Sequence, residues 1–204
     1  SGSSKDEMIS SISSYIIDIE SFKKAAKTKK YLENIKAGRF IIYKGDGNNK
    51  IINSLRSKNI PLNITFNNIQ TIQEFSGYIS KKIEADSISL IESFTDKNFL
   101  KSLNLSQESV LSLFLPNTYE FFWNTSADNF REKMVREFNN FWNENRIEKA
   151  KKIGLNPVEV SVLASIVQKE TPKVDERPTI AGVYLNRLST VSYTHLTLPT
   201  MAIV

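Results

Sequence analysis

Apolar residues recur every three to four positions along most of the chain, and the places where that rhythm breaks divide it into segments. "SFKKAAKTKKYLENI", Ser21 to Ile35, predicts a helix with a lysine-rich outer face. Gly38 then precedes "RFIIYKG", an apolar run closed by Gly45 and Gly47 that predicts a strand. Ile51, Ile52 and Leu55 restore helical spacing, and the alternation of Leu62, Ile64 and Phe66 predicts a half-buried strand. Strand, short helix and strand make a small α/β unit that ends near Phe66.

From residue 67 to 189 the pattern is mainly helical, so the fold class is α+β. Thr71 and Glu74 form a capping box before a helix whose Phe75, Tyr78, Ile79 and Ile83 share a face. "DSISLIESF" and "QESVLSLFL" predict two shorter helices, whereas "LPNTYEFFW", Leu115 to Trp123, reads as strand or loop. Thr125 to Asp128 cap a long helix bearing Phe130, Met134, Val135, Phe138, Phe141 and Trp142, an aromatic stripe that reads as core.

Composition removes several function classes. The absence of cysteine excludes a disulfide, a thiolate nucleophile and a cysteine metal site. The net charge of +5 is spread over lysines that alternate with acids, without the clustered stripe that nucleic acid requires. No run approaches the roughly 18 apolar residues of a membrane span, and nothing resembles a signal peptide. No metal or organic cofactor is indicated. The chain opens on "SGSS" without an initiator methionine and reads as a fragment.

The last stretch, "VSYTHLTLPTMAIV", has no charges and carries the single histidine. The codons GTC TCT TAT ACA CAT CTG ACG CTG CCG ACG, a common DNA-library adapter, translate as Val191 to Thr200. Residues 190–204 are therefore expected to be a translated adapter tail, with native sequence ending near Ser189. His195 is accordingly set aside as a base or metal ligand.

The clearest helix boundaries lie in "GLNPVEVSVLASIVQKETP". Asn156 is an N-cap, Pro157 suits the first helical position, Glu159 completes a capping box, and Pro172 stops the helix. Val158, Val162, Leu163, Ile166 and Val167 form the apolar stripe, and Glu170 falls near its middle, one turn beyond Ile166. Burial and the negative end of the helix dipole would both disfavour its charged form and push its pKa upward. A carboxylic acid that keeps its proton is what protonating a leaving oxygen requires. The bland alternative is a frayed helix end, with Glu170 in water or paired to Lys173 or Arg177.

A second helix follows in "VDERPTIAGVYLNRL", begun by Asp175 or Glu176, with Ile180, Val183, Tyr184 and Leu188 on its buried face. Gly182 would allow a close helix crossing, and Arg177, Asn186 and Arg187 would line a groove beside Glu170. The candidate substrate contacts are Glu176, Arg177 and Asn186.

"LASIVQKET" followed by "ERPTIAGVYLNRL" closely resembles the signature of the endolytic murein transglycosylases, the MltG or YceG-like family. "LFLPNTYEFFWNTS" is similar to that family's Phe-Pro-Asp-Thr-Tyr segment, and "IKAGRFIIYKG" to its small LysM-like subdomain. The resemblance implies a partial LysM-like subdomain over 1–66 and the start of a mainly helical catalytic domain over 67–189, truncated at its C-terminus. It implies an enzyme of the bacterial inner membrane, held by a single-pass anchor missing from this fragment, with its catalytic domain facing the periplasm or cell exterior. It further implies Glu170 as catalytic acid, with peptidoglycan glycan strands and peptidoglycan synthases as partners. Gln168 stands where the family often has glutamate, but helical spacing puts it on the polar face. Asn117 replaces a frequent aspartate. The rival readings are a muramidase-type hydrolase with Asp175 or Glu176 as second carboxylate, and a glycan-binding module without activity.

Overall fold

The computed structural model describes residues 5–57, 59–67 and 69–190. The tail from Val191 onward, including His195, lies outside the described residues. The fold is α+β, mostly helical with one two-stranded antiparallel sheet among the described residues. The chain divides into two compact units, the first Ser1–Asn104 with Pro116–Lys133, the second Leu105–Leu115 with Met134–Val204.

In the first unit, α1 (Lys5–Ser13), α2 (Ile19–Thr28) and α3 (Asn48–Arg56) enclose a small core of Met8, Ile16, Phe22, Ala26, Tyr31, Ile51, Ile52 and Leu55. Asp18 caps α2 by accepting from the Ser21 amide at 3.0 Å. The helix expected over 21–35 is shorter at its C-terminal end. Lys30 takes a left-handed φ of 52°, which ends α2, and a single 3-10 turn over Tyr31–Glu33 follows.

The strand expected in "RFIIYKG" does not form. Its amides are taken by side chains: Arg39 N donates to Asn59 Oδ1 at 2.7 Å, and Tyr43 N to Asp46 Oδ2 at 3.0 Å. The backbone bonds Ile60 N to Arg39 O and Asp46 N to Tyr43 O are no ladder. Phe40 and Ile42 still pack onto the small core.

The expected strand at Leu62–Phe66 (β1) forms, but its partner lies far along the chain at Asn117–Phe121 (β2). Leu62 faces Phe121, Ile64 faces Tyr119 and Phe66 faces Asn117. The inward positions are Ile64, Phe66, Tyr119 and Phe121, all buried, so one face of the ribbon is apolar. A division of the chain just after Phe66 would therefore cut between hydrogen-bonded strands, and the compact units separate elsewhere.

Against that face pack α4 (Ile72–Ile79) and the start of α7 (Ala127–Phe141), with α5 (Ser87–Phe94) joining them through Phe94 and α6 (Lys97–Ser102) following. Thr71 caps α4 at Glu74 N, and the Glu74 carboxylate reaches back to Gln70 N. Phe66 meets Phe75 edge-on at 4.9 Å and stacks on Tyr119 at 5.3 Å. Phe130 stacks on Phe121 at 4.4 Å and touches Phe75 and Phe94, so α7 supplies the key to this aromatic core.

The second unit holds the 3-10 turn Val110–Leu113, the rest of α7, α8 (Glu144–Lys152), α9 (Pro157–Glu170) and α10 (Arg177–Thr190). The "QESVLSLFL" segment, expected as a helix, forms only that short turn, with Val110 and Leu113 buried. The α7 stripe is also only partly core. Phe130 and Met134 are fully buried and Trp142 nearly so, while Phe141 is exposed. Arg146 covers Phe141 instead, its guanidinium 4.2 Å from the ring centroid and its Nη1 bonded to the Phe141 carbonyl at 2.7 Å. Gly154, at φ 74°, turns the chain from α8 into α9, where bonds from Gly154 N to Lys151 O and Leu155 N to Ala150 O close the helix end.

Candidate active site

Local chemistry sets the frame of the site as the sequence predicts. Asn156 Oδ1 accepts from Val158 N and Glu159 N, Glu159 Oε2 accepts from Asn156 N at 2.8 Å, and Pro157 is the first residue of α9. At the other end Thr171, which precedes Pro172, is extended at φ −146° and ψ 134°, so α9 stops with Glu170 as its last residue.

Glu170 is not buried. Its side chain is exposed, as are Gln168 and Lys169, and of the apolar stripe only Val167 is buried. Val158, Val162, Leu163 and Ile166 are half-buried. The desolvation expected from the sequence therefore has no basis here, because the helix ends at Glu170 and presents that residue outward. The side chain reaches water, as at a frayed end, and its carboxylate also has a partner other than Lys173 or Arg177. Tyr184 Oη donates to Glu170 Oε1 at 2.8 Å.

Tyr184 lies on α10, which packs along α9. The phenol pKa is pushed above its ordinary value, first by the hydrogen bond to Glu170, then by desolvation and the nearby carboxylate charge, with Arg187 opposing. The Arg187 guanidinium sits 5.7 Å from the centre of the Tyr184 ring. The sequence reading placed Tyr184 on the buried face of this helix and missed its polar role. The available signal was its hydroxyl, since a tyrosine on an apolar helix face carries a polar tip that seeks a partner.

The turn between α9 and α10 explains what Glu176 does. The Thr171 side chain is buried, donates from Oγ1 to Glu176 Oε2 at 2.8 Å and accepts from Lys173 N at 3.1 Å. Lys173 Nζ lies 3.0 Å from Glu176 Oε1. Both oxygens of Glu176 are thus engaged within the turn. The Thr171 hydroxyl and then Lys173 hold its carboxyl below the usual glutamate range.

The other two expected substrate contacts fall on different faces of α10. Arg177, its first residue, lies two turns before Tyr184 and so on the same side. It is half-buried, and its Nε is buried without a hydrogen-bond partner. Asn186 is exposed and stands two residues from Tyr184, roughly 200° around the helix. Asp175 is exposed in the turn. Glu170, Tyr184 and Arg187 are therefore brought together, Arg177 shares their side of α10, and Asn186 does not.

Asn117, in the segment similar to the family's Phe-Pro-Asp-Thr-Tyr, belongs to β2, where its Oδ1 accepts from Thr118 N at 2.8 Å. A cavity of about 720 Å³ lies in the first unit, lined in part by Glu84, Glu92, Asp96, Asp128 and Arg131, and contains none of the candidate residues. Among the described residues no group of three or more His, Asp or Glu side chains is placed to hold a metal ion. No helix among them is long and apolar enough to cross a membrane.

The family model of the YceG-like family matches residues 1–198. The chain belongs to the YceG-like family. The matched range runs beyond Ser189, where the sequence reading ends the native chain. The solved structure of the yceG-like protein lmo1499 from Listeria monocytogenes is similar to it, with a TM-score of 0.56 and 19% identity. That similarity covers 92% of this chain and 67% of the other, and at such identity it speaks for the fold. No curated protein matches the chain.

Proposed function

We propose that this YceG-like chain belongs to a lytic transglycosylase that cuts peptidoglycan strands internally, at the β-1,4 bond between N-acetylmuramic acid and N-acetylglucosamine. The observation that carries the reading is Glu170, an open carboxyl group at the end of a firmly capped helix, in a chain of this family. In its acid form Glu170 protonates the leaving oxygen of N-acetylglucosamine as the C1–O bond breaks. The resulting carboxylate then takes the proton of the muramic acid 6-hydroxyl, whose oxygen closes onto C1. The products are a 1,6-anhydro end and a released strand; no water is consumed and Glu170 regains its proton.

One carboxylate serves both steps because the nucleophile belongs to the substrate. A hydrolase instead needs a second carboxylate about 5 to 10 Å away. Glu176 is a poor candidate for that role, with both its oxygens already held by Thr171 and Lys173. Under this reading the parent protein works at the bacterial inner membrane through a single-pass anchor, its catalytic domain facing the periplasm or cell exterior. Glycan strands are its substrate and peptidoglycan synthases its partners, with residues 1–66 contributing LysM-like glycan binding.

The test is mass spectrometry of glycan strands treated with the full-length protein and with its Glu170→Gln variant. Anhydro-ended fragments from the unsubstituted protein alone are the expected result. Reducing ends would establish a hydrolase, and intact strands from both would leave a binding module.

A further inference from the structure

We propose that Tyr184 is a positioning residue of this site: its hydroxyl occupies Glu170 Oε1 and so reserves Oε2 for the proton exchanged with substrate. The inference rests on the transglycosylase reading of Glu170 and adds to it the residue that decides which carboxyl oxygen reacts.

The chemistry of the proposed reaction makes this choice matter. The same carboxyl group must first give a proton to the leaving oxygen of N-acetylglucosamine and then take one from the 6-hydroxyl of the adjoining muramic acid. An exposed glutamate at a helix end has rotamer freedom to lose before it can meet either group. One fixed donor removes much of that freedom. The Tyr184 hydroxyl lies 2.8 Å from Oε1, and it reaches there from a neighbouring helix, so the anchor does not move with α9 alone.

The bond suits both protonation states. When Glu170 is an acid with its proton on Oε2, Oε1 is a carbonyl oxygen and still accepts from Tyr184. When Glu170 is a carboxylate, the same donor stabilises the charge left by the first proton transfer. Tyr184 itself exchanges no proton with the sugar. A phenol is protonated at neutral pH, and the hydrogen bond to Glu170, then desolvation, raise its pKa further, so it remains a donor. The other charged group beside Tyr184 is Arg187 on α10, with its guanidinium near the Tyr184 ring.

The experiment compares the full-length protein with Tyr184→Phe and Tyr184→Leu, following anhydro-end formation on isolated glycan strands. It also follows the titration of the Tyr184 ring carbon bearing oxygen, by NMR, in the unsubstituted protein and in Glu170→Gln. Removal of the hydroxyl is expected to lower kcat by about tenfold with KM nearly unchanged, the size expected for loss of one charge-assisted hydrogen bond. Phe and Leu should behave alike, and the Tyr184 titration should move to lower pH in Glu170→Gln. A Tyr184→Phe enzyme with unaltered kcat would overturn the proposal. So would a Tyr184 titration indifferent to Glu170, or a loss seen only with Leu, which would mark a packing role for the ring. If the unsubstituted protein forms no anhydro ends, the reading of Glu170 fails first and the proposal with it.

Discussion

The Thr171 hydroxyl donates to Glu176 Oε2 at 2.8 Å and thereby closes the turn that joins the two helices of the candidate site. The bond holds the Glu176 pKa below its unfolded value of about 4.3. A depressed carboxylate pKa contributes stability that is present above the unfolded value and lost as pH falls through the folded one. Thr171→Val is therefore expected to be less stable than the unsubstituted protein at pH 7. The difference should shrink as pH drops below the ordinary glutamate range, while Thr171→Ser keeps most of the effect. Thermal melts at both ends of that window check this.

Glu170→Gln should leave the fold alone and remove the chemistry. The side chain is exposed, and glutamine retains an oxygen that can accept from Tyr184. Loss of a general acid and base is expected to lower the yield of anhydro ends by at least about a hundredfold. Circular dichroism melts of the same samples should coincide.

Two phenylalanines of one helix should differ sharply. Phe130 is fully buried among Phe75, Phe94 and Phe121, so Phe130→Ala is expected to cost about 3 to 5 kcal/mol. Phe141 is exposed beneath the Arg146 guanidinium, and Phe141→Ala should cost only about 0.5 to 1 kcal/mol. Urea midpoints measured for both variants separate the two outcomes.

A crowded pair in the first unit predicts non-additivity. A Cβ on Gly38 would lie 2.6 Å from Asn59 Cγ. That Asn59 amide accepts from Arg39 N and donates to Asn124 Oδ1 at 2.8 Å. Gly38→Ala should destabilise by displacing Asn59, and Asn59→Ala by losing both bonds. The double variant should cost less than the sum, since the second change removes the clash made by the first. A thermodynamic cycle from denaturant unfolding measures the difference directly.

The features legible from residue order alone lie within single turns of chain. Asn156, Pro157 and Glu159 start α9 and Pro172 ends it because caps and proline act on neighbouring backbone groups, with no need of the rest of the fold. Thr71 starts α4 in the same way, and the alternation of Leu62, Ile64 and Phe66 marks a segment able to form a strand. Features that need a distant partner depend on how the elements pack. A strand requires another strand: β1 finds one at Asn117–Phe121, while the Arg39 and Tyr43 amides go to the Asn59 and Asp46 side chains and that segment stays irregular. The apolar stripe of α9 runs toward Glu170, but exposure depends on what lies over that face, and periodicity carries no information about it. Glu176, which looked free to bind substrate, is held by Thr171 and Lys173. Tyr184 joined the site only when α10 packed along α9, because a side-chain hydrogen bond is set by the approach of two elements and not by the order of residues within either.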